Sequence, residues 1–226
     1  MLHTLLRTLI HLDVREEPEL YLWGLKIRLD DTPNPSPFPP LEDARSIFEN
    51  DIKRFKTEPD IMLFVPGQLL VLIEAKFTSG NTIASASTTD DLSGKKPKSR
   101  DGILRRYSTR ELPCDALLAP SSSGPFYSQL YRNLVFAIYM ANKLRVRWVL
   151  VNLVGEGQFH QRQHEIEFRD PTQLIHSLLP DKARDQFLFY SWERLYADYV
   201  VKATGLNDLA VYMYNKSANG AKALAV

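Results

Sequence analysis

The sequence predicts an α/β protein in which a mixed central β-sheet, carrying an antiparallel hairpin, is flanked by helices on both faces. Three observations predict it. The runs Ile61–Val65, Leu69–Ala75 and Val146–Val154 are apolar at nearly every position, as strands buried on both faces are. Around them, amphipathic stretches repeat apolar residues at three- and four-residue spacing. The order helix, hairpin, helix, strand, helix, strand, helix then builds an α/β sandwich around one sheet.

The elements follow in chain order. Thr32 to Pro40 (TPNPSPFPP) is a proline-dense connector with no room for regular structure. From Leu41 to Phe55 the apolar residues Leu41, Ala44, Phe48, Ile52 and Phe55 predict an amphipathic helix. Strands Ile61–Val65 and Leu69–Ala75 flank Pro66-Gly67. Thr78 to Pro113 is polar and rich in Ser, Thr and Lys, a long insertion of the functional or disordered kind. Pro125 to Leu144 is a strong helix, with Leu130, Leu134, Ile138 and Ala141 on one stripe. Val146–Val154 is a buried strand, and Pro171 to Leu179 a helix with Asp170 as its N-cap. Phe187–Trp192 is a short aromatic strand, Glu193 to Ala203 a closing helix, and the last dozen residues fray.

The 226 residues fit one domain: an N-terminal extension and connector (1–40), a core (41–203) with a basic insertion (78–113), and a frayed tail (215–226). At 44% hydrophobic, 24% charged and net charge +1, the chain is no polycation that coats nucleic acid. A lone cysteine, Cys114, excludes an intramolecular disulfide and suits a reducing compartment. No apolar run reaches the ~18 residues of a membrane span. Leu2 to Leu12 is interrupted by His3, Arg7 and His11 with no cleavage site after it, so the expectation is a cytoplasmic protein.

Chemistry concentrates at the mouth of the hairpin. Pro59-Asp60 precedes its first strand, and Glu74-Ala75-Lys76 leaves its second. A charge inside a buried sheet is costly unless paired or bound to metal. Glu74 and Lys76 share a face, because alternate side chains of a strand do. Asp60 joins them only if the loop has an odd number of residues or a bulge intervenes. A plain two-residue Pro-Gly turn puts the acids on opposite faces. A three-residue loop, Val65-Pro66-Gly67 with Gly67 at positive φ, opposes Asp60 to Leu72 and sets Glu74 diagonally adjacent. Two carboxylates so placed make a hard oxygen site suited to Mg²⁺ or Mn²⁺. A lysine two residues on is placed to hold an attacking water or to meet charge growing on phosphate oxygens.

Pro59-Asp60, a gap of about a dozen residues, then Glu74-Ala75-Lys76 resembles the motif of the PD-(D/E)XK nuclease superfamily. The resemblance covers about Leu41 to Trp192 and implies a restriction-endonuclease-like fold. It implies that Asp60 and Glu74, with the Ala75 carbonyl, hold Mg²⁺ or Mn²⁺, and that Lys76 serves the attacking water. Glu49 matches the glutamate that many members add from the preceding helix, with Glu42 as its competitor. Gln129 is similar to a polar residue that some carry on the following helix, though a helix cap is its other reading. The implied activity is phosphodiester hydrolysis of nucleic acid, DNA before RNA, leaving 5′-phosphate and 3′-hydroxyl ends. Stand-alone sequence-specific cleavage would further imply a homodimer. A non-catalytic nucleic-acid-binding or assembly subunit on the same fold is the alternative, and a small-molecule metallohydrolase a third.

Other features weigh less. Lys95, Lys96, Lys98, Arg100, Arg105, Arg106 and Arg110 stand against Asp101 alone, a phosphate-gripping loop or a solvated insertion. A second cluster, Arg132, Lys143, Arg145 and Arg147, reads as a solvated face. His160 and His164 have helical zinc spacing, but Gly155 and Gly157 before them and the alternation of residues 165–168 after them favour loop and strand. Cys114 reads as a passive thiol, and the aromatics Phe187, Phe189, Tyr190, Trp192, Tyr196 and Tyr199 as core. Neither G-x-G-x-x-G nor G-x-x-x-x-G-K-[ST] occurs.

Overall fold

A computed structural model describes residues 1–27, 36–53, 56–76, 81, 84, 99–107, 111–119, 126–155, 162–163, 166–167, 171–203 and 205–211. Among them the sheet has six strands: β1 (Glu19–Leu22), β2 (Leu25–Lys26), β3 (Ile61–Val65), β4 (Leu69–Lys76), β5 (Arg147–Val154) and β8 (Phe187–Ser191). Their spatial order is β2-β1-β3-β4-β5-β8. The first three junctions are antiparallel, and β4, β5 and β8 run parallel. The expected α/β class with a mixed sheet is therefore present. A separate small ribbon joins β6 (Arg162–Gln163) to β7 (Ile166–Glu167).

Alternation along the strands divides the core. Met62, Leu70, Leu72, Trp148 and Leu150 face α2 (Pro39–Phe48) and α4 (Ser128–Leu144), joined by Ile103 and Tyr107 of α3 (Arg100–Tyr107) and Ile175 of α5 (Thr172–Ser177). Leu63, Val65, Val71, Ile73, Val149 and Val151 face the other way, against Leu6 and Leu9 of α1 (Leu2–Ile10). Trp192 and Leu195 of α6 (Trp192–Leu195) cover the same side. The first six residues of β4 are buried, which is why its sequence has no polar alternation. Among the described residues, no helix is long and apolar enough to cross a membrane.

Several expected boundaries move. The helix predicted over Leu41–Phe55 begins earlier, with prolines in its first turn, and stops at Phe48. Glu49 leaves helical geometry (φ −137°, ψ 28°), and its carboxylate accepts from the Thr57 N–H at 2.6 Å. Ile52 stays buried outside the helix, and Phe55 lies outside the described residues. The stretch expected as a loop over Thr78–Pro113 contains α3. Residues 1–40, expected as extension and connector, supply one helix and two strands to the main body. Residue 170, the expected cap of α5, is outside the described residues, and Pro171 stands at that cap. After Ser191 the closing helix starts at Trp192 and loosens into a π turn over Tyr196–Val200.

Candidate functional site

The β3–β4 register decides whether the two acids meet. The loop has three residues, Pro66, Gly67 and Gln68, closed by Gln68 N–H donating to the Val65 carbonyl at 3.0 Å. Gly67 has φ 67°, as expected for it. The loop length is odd, as a shared face requires, but the pairing is shifted by two residues from Asp60 opposite Leu72. Ile61 pairs with Ile73, so one further step along the ladder sets Asp60 directly opposite Glu74. The acids face each other on the α2/α4 side of the sheet.

Glu74 is fully buried. Its Oε2 accepts from Asn133 Nδ2 of α4 at 2.7 Å, and its Oε1 faces the ammonium of Lys76 in an ion pair. Burial pushes the Glu74 carboxyl above its ordinary value. Lys76 opposes the shift and the negative charge of Asp60 reinforces it, so the two carboxylates sense each other. Asn152, in register beside Glu74 on β5, is also buried and accepts from Asn81 Nδ2 at 3.2 Å.

Asp60 Oδ2 accepts from the Ala75 N–H at 2.9 Å, replacing the strand carbonyl that β3 no longer offers there. A strand residue's N–H and C=O point to the same edge, so the Ala75 carbonyl lies on the Asp60 side. The donors that converge are hard oxygens, and an ammonium already stands against one of them. This chemistry fits a small divalent cation completed by water and substrate oxygens. Among the described residues no group of three or more His, Cys, Asp and Glu is placed to hold a metal. The pair Asp60–Glu74, with one backbone oxygen, is the hard-oxygen set at this corner.

A cleft of about 220 Å³ opens over this corner. Asp60 lines it from the hairpin, Gln129, Arg132 and Asn133 from α4, and Trp23, Lys56, Thr57 and Glu58 complete the lining. Gln129 lines the cleft with Asp60, whereas Glu74 and Lys76 are not among its lining residues. Arg132, expected on a solvated face, is in the cleft instead, with its Nε buried and without a hydrogen-bond partner.

Glu49 is differently placed. It is fully buried, accepts from the Thr57 N–H, the Thr57 hydroxyl and the Tyr107 hydroxyl, and is not on the cleft wall. With three donors on its two oxygens, it braces residue 57 and α3 against the end of α2. Arg45 completes the brace: its Nε donates to the Thr57 carbonyl at 3.0 Å, and its guanidinium pairs with Glu42 and Glu58. Residues 57–58, just ahead of Asp60, are therefore fixed to α2 by side chains.

The expected phosphate-gripping set divides as well. Arg106 makes two hydrogen bonds to Asp51 and one to the Phe48 carbonyl, which ties α3 to the end of α2. Its guanidinium holds the Asp51 carboxyl down to about 2. Arg100 lies over the Phe126 ring, 5.6 Å from the centroid, and Arg105 is exposed. Lys95, Lys96, Lys98 and Arg110 lie outside the described residues, as do His160 and His164. Phe187, Tyr190 and Tyr199 are core residues, as expected.

Asn133, Asn152, Arg132 and Trp23 were not singled out as site residues by sequence reasoning. A signal existed for two. Asn133 follows Gln129 by one helical turn, and Asn152 interrupts an apolar run that extends from Trp148 to Val154. Compared with known proteins, the chain matches no family model, no curated protein and no solved structure.

Proposed function

We propose that the chain is a Mg²⁺-dependent phosphodiesterase of nucleic acid, DNA before RNA, built on a restriction-endonuclease-like core. The observation that supports this best is the hairpin register. It sets Asp60 opposite Glu74, with Lys76 on the same face, and Asp60 lines an open cleft. Chance charge at a sheet edge has no reason to bury Glu74 completely or to supply it with Asn133 from a separate helix.

Asp60, Glu74 and the Ala75 carbonyl would hold the cation. Bound there, a divalent ion supplies Lewis acidity toward a phosphate oxygen and a more acidic water. The chain's own residues do the rest. Asn133 fixes the Glu74 carboxylate in one orientation, and the Ala75 N–H does the same for Asp60. Lys76, whose ammonium leans on Glu74, would meet the negative charge that develops on the phosphate. Water adds to phosphorus, the bond to the 3′ oxygen breaks, and that oxygen leaves with a proton, giving 5′-phosphate and 3′-hydroxyl ends.

A non-catalytic binding subunit on the same core is the second reading, favoured by the full engagement of Glu49 away from the cleft. Cleavage of plasmid and RNA with Mg²⁺ or Mn²⁺, lost with chelator, separates the two. Lys76→Ala should lower turnover by orders of magnitude and leave nucleic-acid binding nearly intact. Cleavage by Lys76→Ala at the wild-type rate overturns the hairpin as the active site.

A further inference from the structure

Three non-glycine residues among those described have positive φ: His11, Trp23 and Arg145. His11 and Arg145 end helices, where the left-handed conformation caps the last turn. Trp23 has no such reason. It is the first residue of the two-residue turn between β1 and β2, at φ 50°, with Gly24 at φ 84°. Both angles positive is the type I′ pattern, which asparagine or glycine adopts at its first position far more readily than a bulky side chain. Gly24 is held to glycine twice over, by its φ and because a Cβ there would stand 2.6 Å from Leu41 Cδ2. The tip of the hairpin is thereby seated against α2.

Strain of this kind persists where the position does something. Trp23 is 60% exposed, and it lines the cleft that holds Asp60, Gln129 and Arg132. Its backbone N–H donates to the Asp60 carbonyl at 3.2 Å, which ties the hairpin tip to the motif acid. The same cleft is lined by the cations of Lys56 and Arg132. An indole face beside two cations is what an unpaired base and its phosphate require, since stacking needs only a π-surface and tolerates any base. At about 220 Å³ the cleft has room for part of one nucleotide rather than for a duplex.

We infer that Trp23 is a stacking platform for one unpaired base, with Arg132 and Lys56 on the adjoining phosphate, so that the strand bound here is single or frayed. This rests on the nucleic-acid reading above and names the form of the substrate. The test is fluorescence anisotropy of a labelled single-stranded deoxyoligonucleotide and of the matching blunt duplex, both in chelator so that nothing is cleaved. Trp23→Asn should weaken single-strand binding about 5- to 150-fold and leave duplex binding unchanged, while Trp23→Phe keeps most of the affinity. Because asparagine suits the turn, Trp23→Asn should melt at or above the wild-type temperature, so lost binding is not lost folding.

Undiminished single-strand affinity in Trp23→Asn overturns the inference, as does a wild-type protein that does not bind single strands. Leu25 and Ile27, both partly exposed on the same hairpin, make a protein contact the competing use. If Trp23→Asn dissolves a dimer in sedimentation while strand affinity holds, that use is the correct one. Wild-type cleavage is scored separately. Trp23-dependent binding without cleavage leaves the stacking site standing and sinks the nuclease reading, and cleavage without Trp23 dependence does the reverse.

Discussion

Glu74 is the residue at which burial and charge collide. It sits in the sheet interior with one amide, one ammonium and one facing carboxylate, and burial dominates, so the folded chain holds its proton more tightly than an unfolded one. A carboxyl with a raised folded-state value contributes stability that is complete below the ordinary glutamate range and is lost as pH rises through the raised value. Metal-free wild type should therefore lose stability relative to Glu74→Gln as pH climbs from below the glutamate range to neutrality. Urea midpoints measured across that interval check it, and a constant difference between the two proteins would refute the shift. The partners that matter here were only half legible. Lys76 was visible from strand parity, because two residues along a strand is one face. Asn133, fifty-nine positions away in the chain, meets Glu74 only because α4 packs on β4.

At the scale of elements, the sequence exposed what is buried on both sides and hid what is held by side chains. Strands β3 and β4 announced themselves because their burial removes every polar alternation. Loop parity was readable from the need to place two acids together, but the two-residue shift was not, since both registers satisfy the same face. The end of α2 was overrun because apolar Ile52 continues the helical stripe while Glu49 is captured by Thr57 and by Tyr107 from α3. A long-range bond of that kind leaves no local mark. The short strands β1 and β2 were missed for another reason, having too few residues to show a period. Glu49→Ala should accordingly act on stability. It orphans three buried donors, at about 1–3 kcal/mol each, so a loss of several kcal/mol in chemical denaturation is expected. An intact fold whose response to Mg²⁺ has disappeared would instead return Glu49 to the metal site.

For the whole molecule the decisive quantity is the free energy that a cation contributes to the folded state. Asp60 and Glu74 face each other across β3 and β4, and in the metal-free chain their repulsion is relieved only by Lys76 and the hydrogen bonds around them. A cation that binds the folded chain alone stabilises it by mass action, about 2.7 kcal/mol at a hundred times its dissociation constant. For a chain of this length that corresponds to a rise in Tm of roughly 5–11 °C. Mg²⁺ or Mn²⁺ should produce this rise and Asp60→Asn with Glu74→Gln should abolish it, the double variant being at least as stable as the metal-free wild type. Both substitutions keep side-chain volume: Asp60→Asn keeps an oxygen for the Ala75 N–H and Glu74→Gln one for Asn133, while the Lys76 ion pair is lost with the charge. A metal response that survives in the double variant would move the site away from the hairpin, with His160 and His164 the next ligands to test.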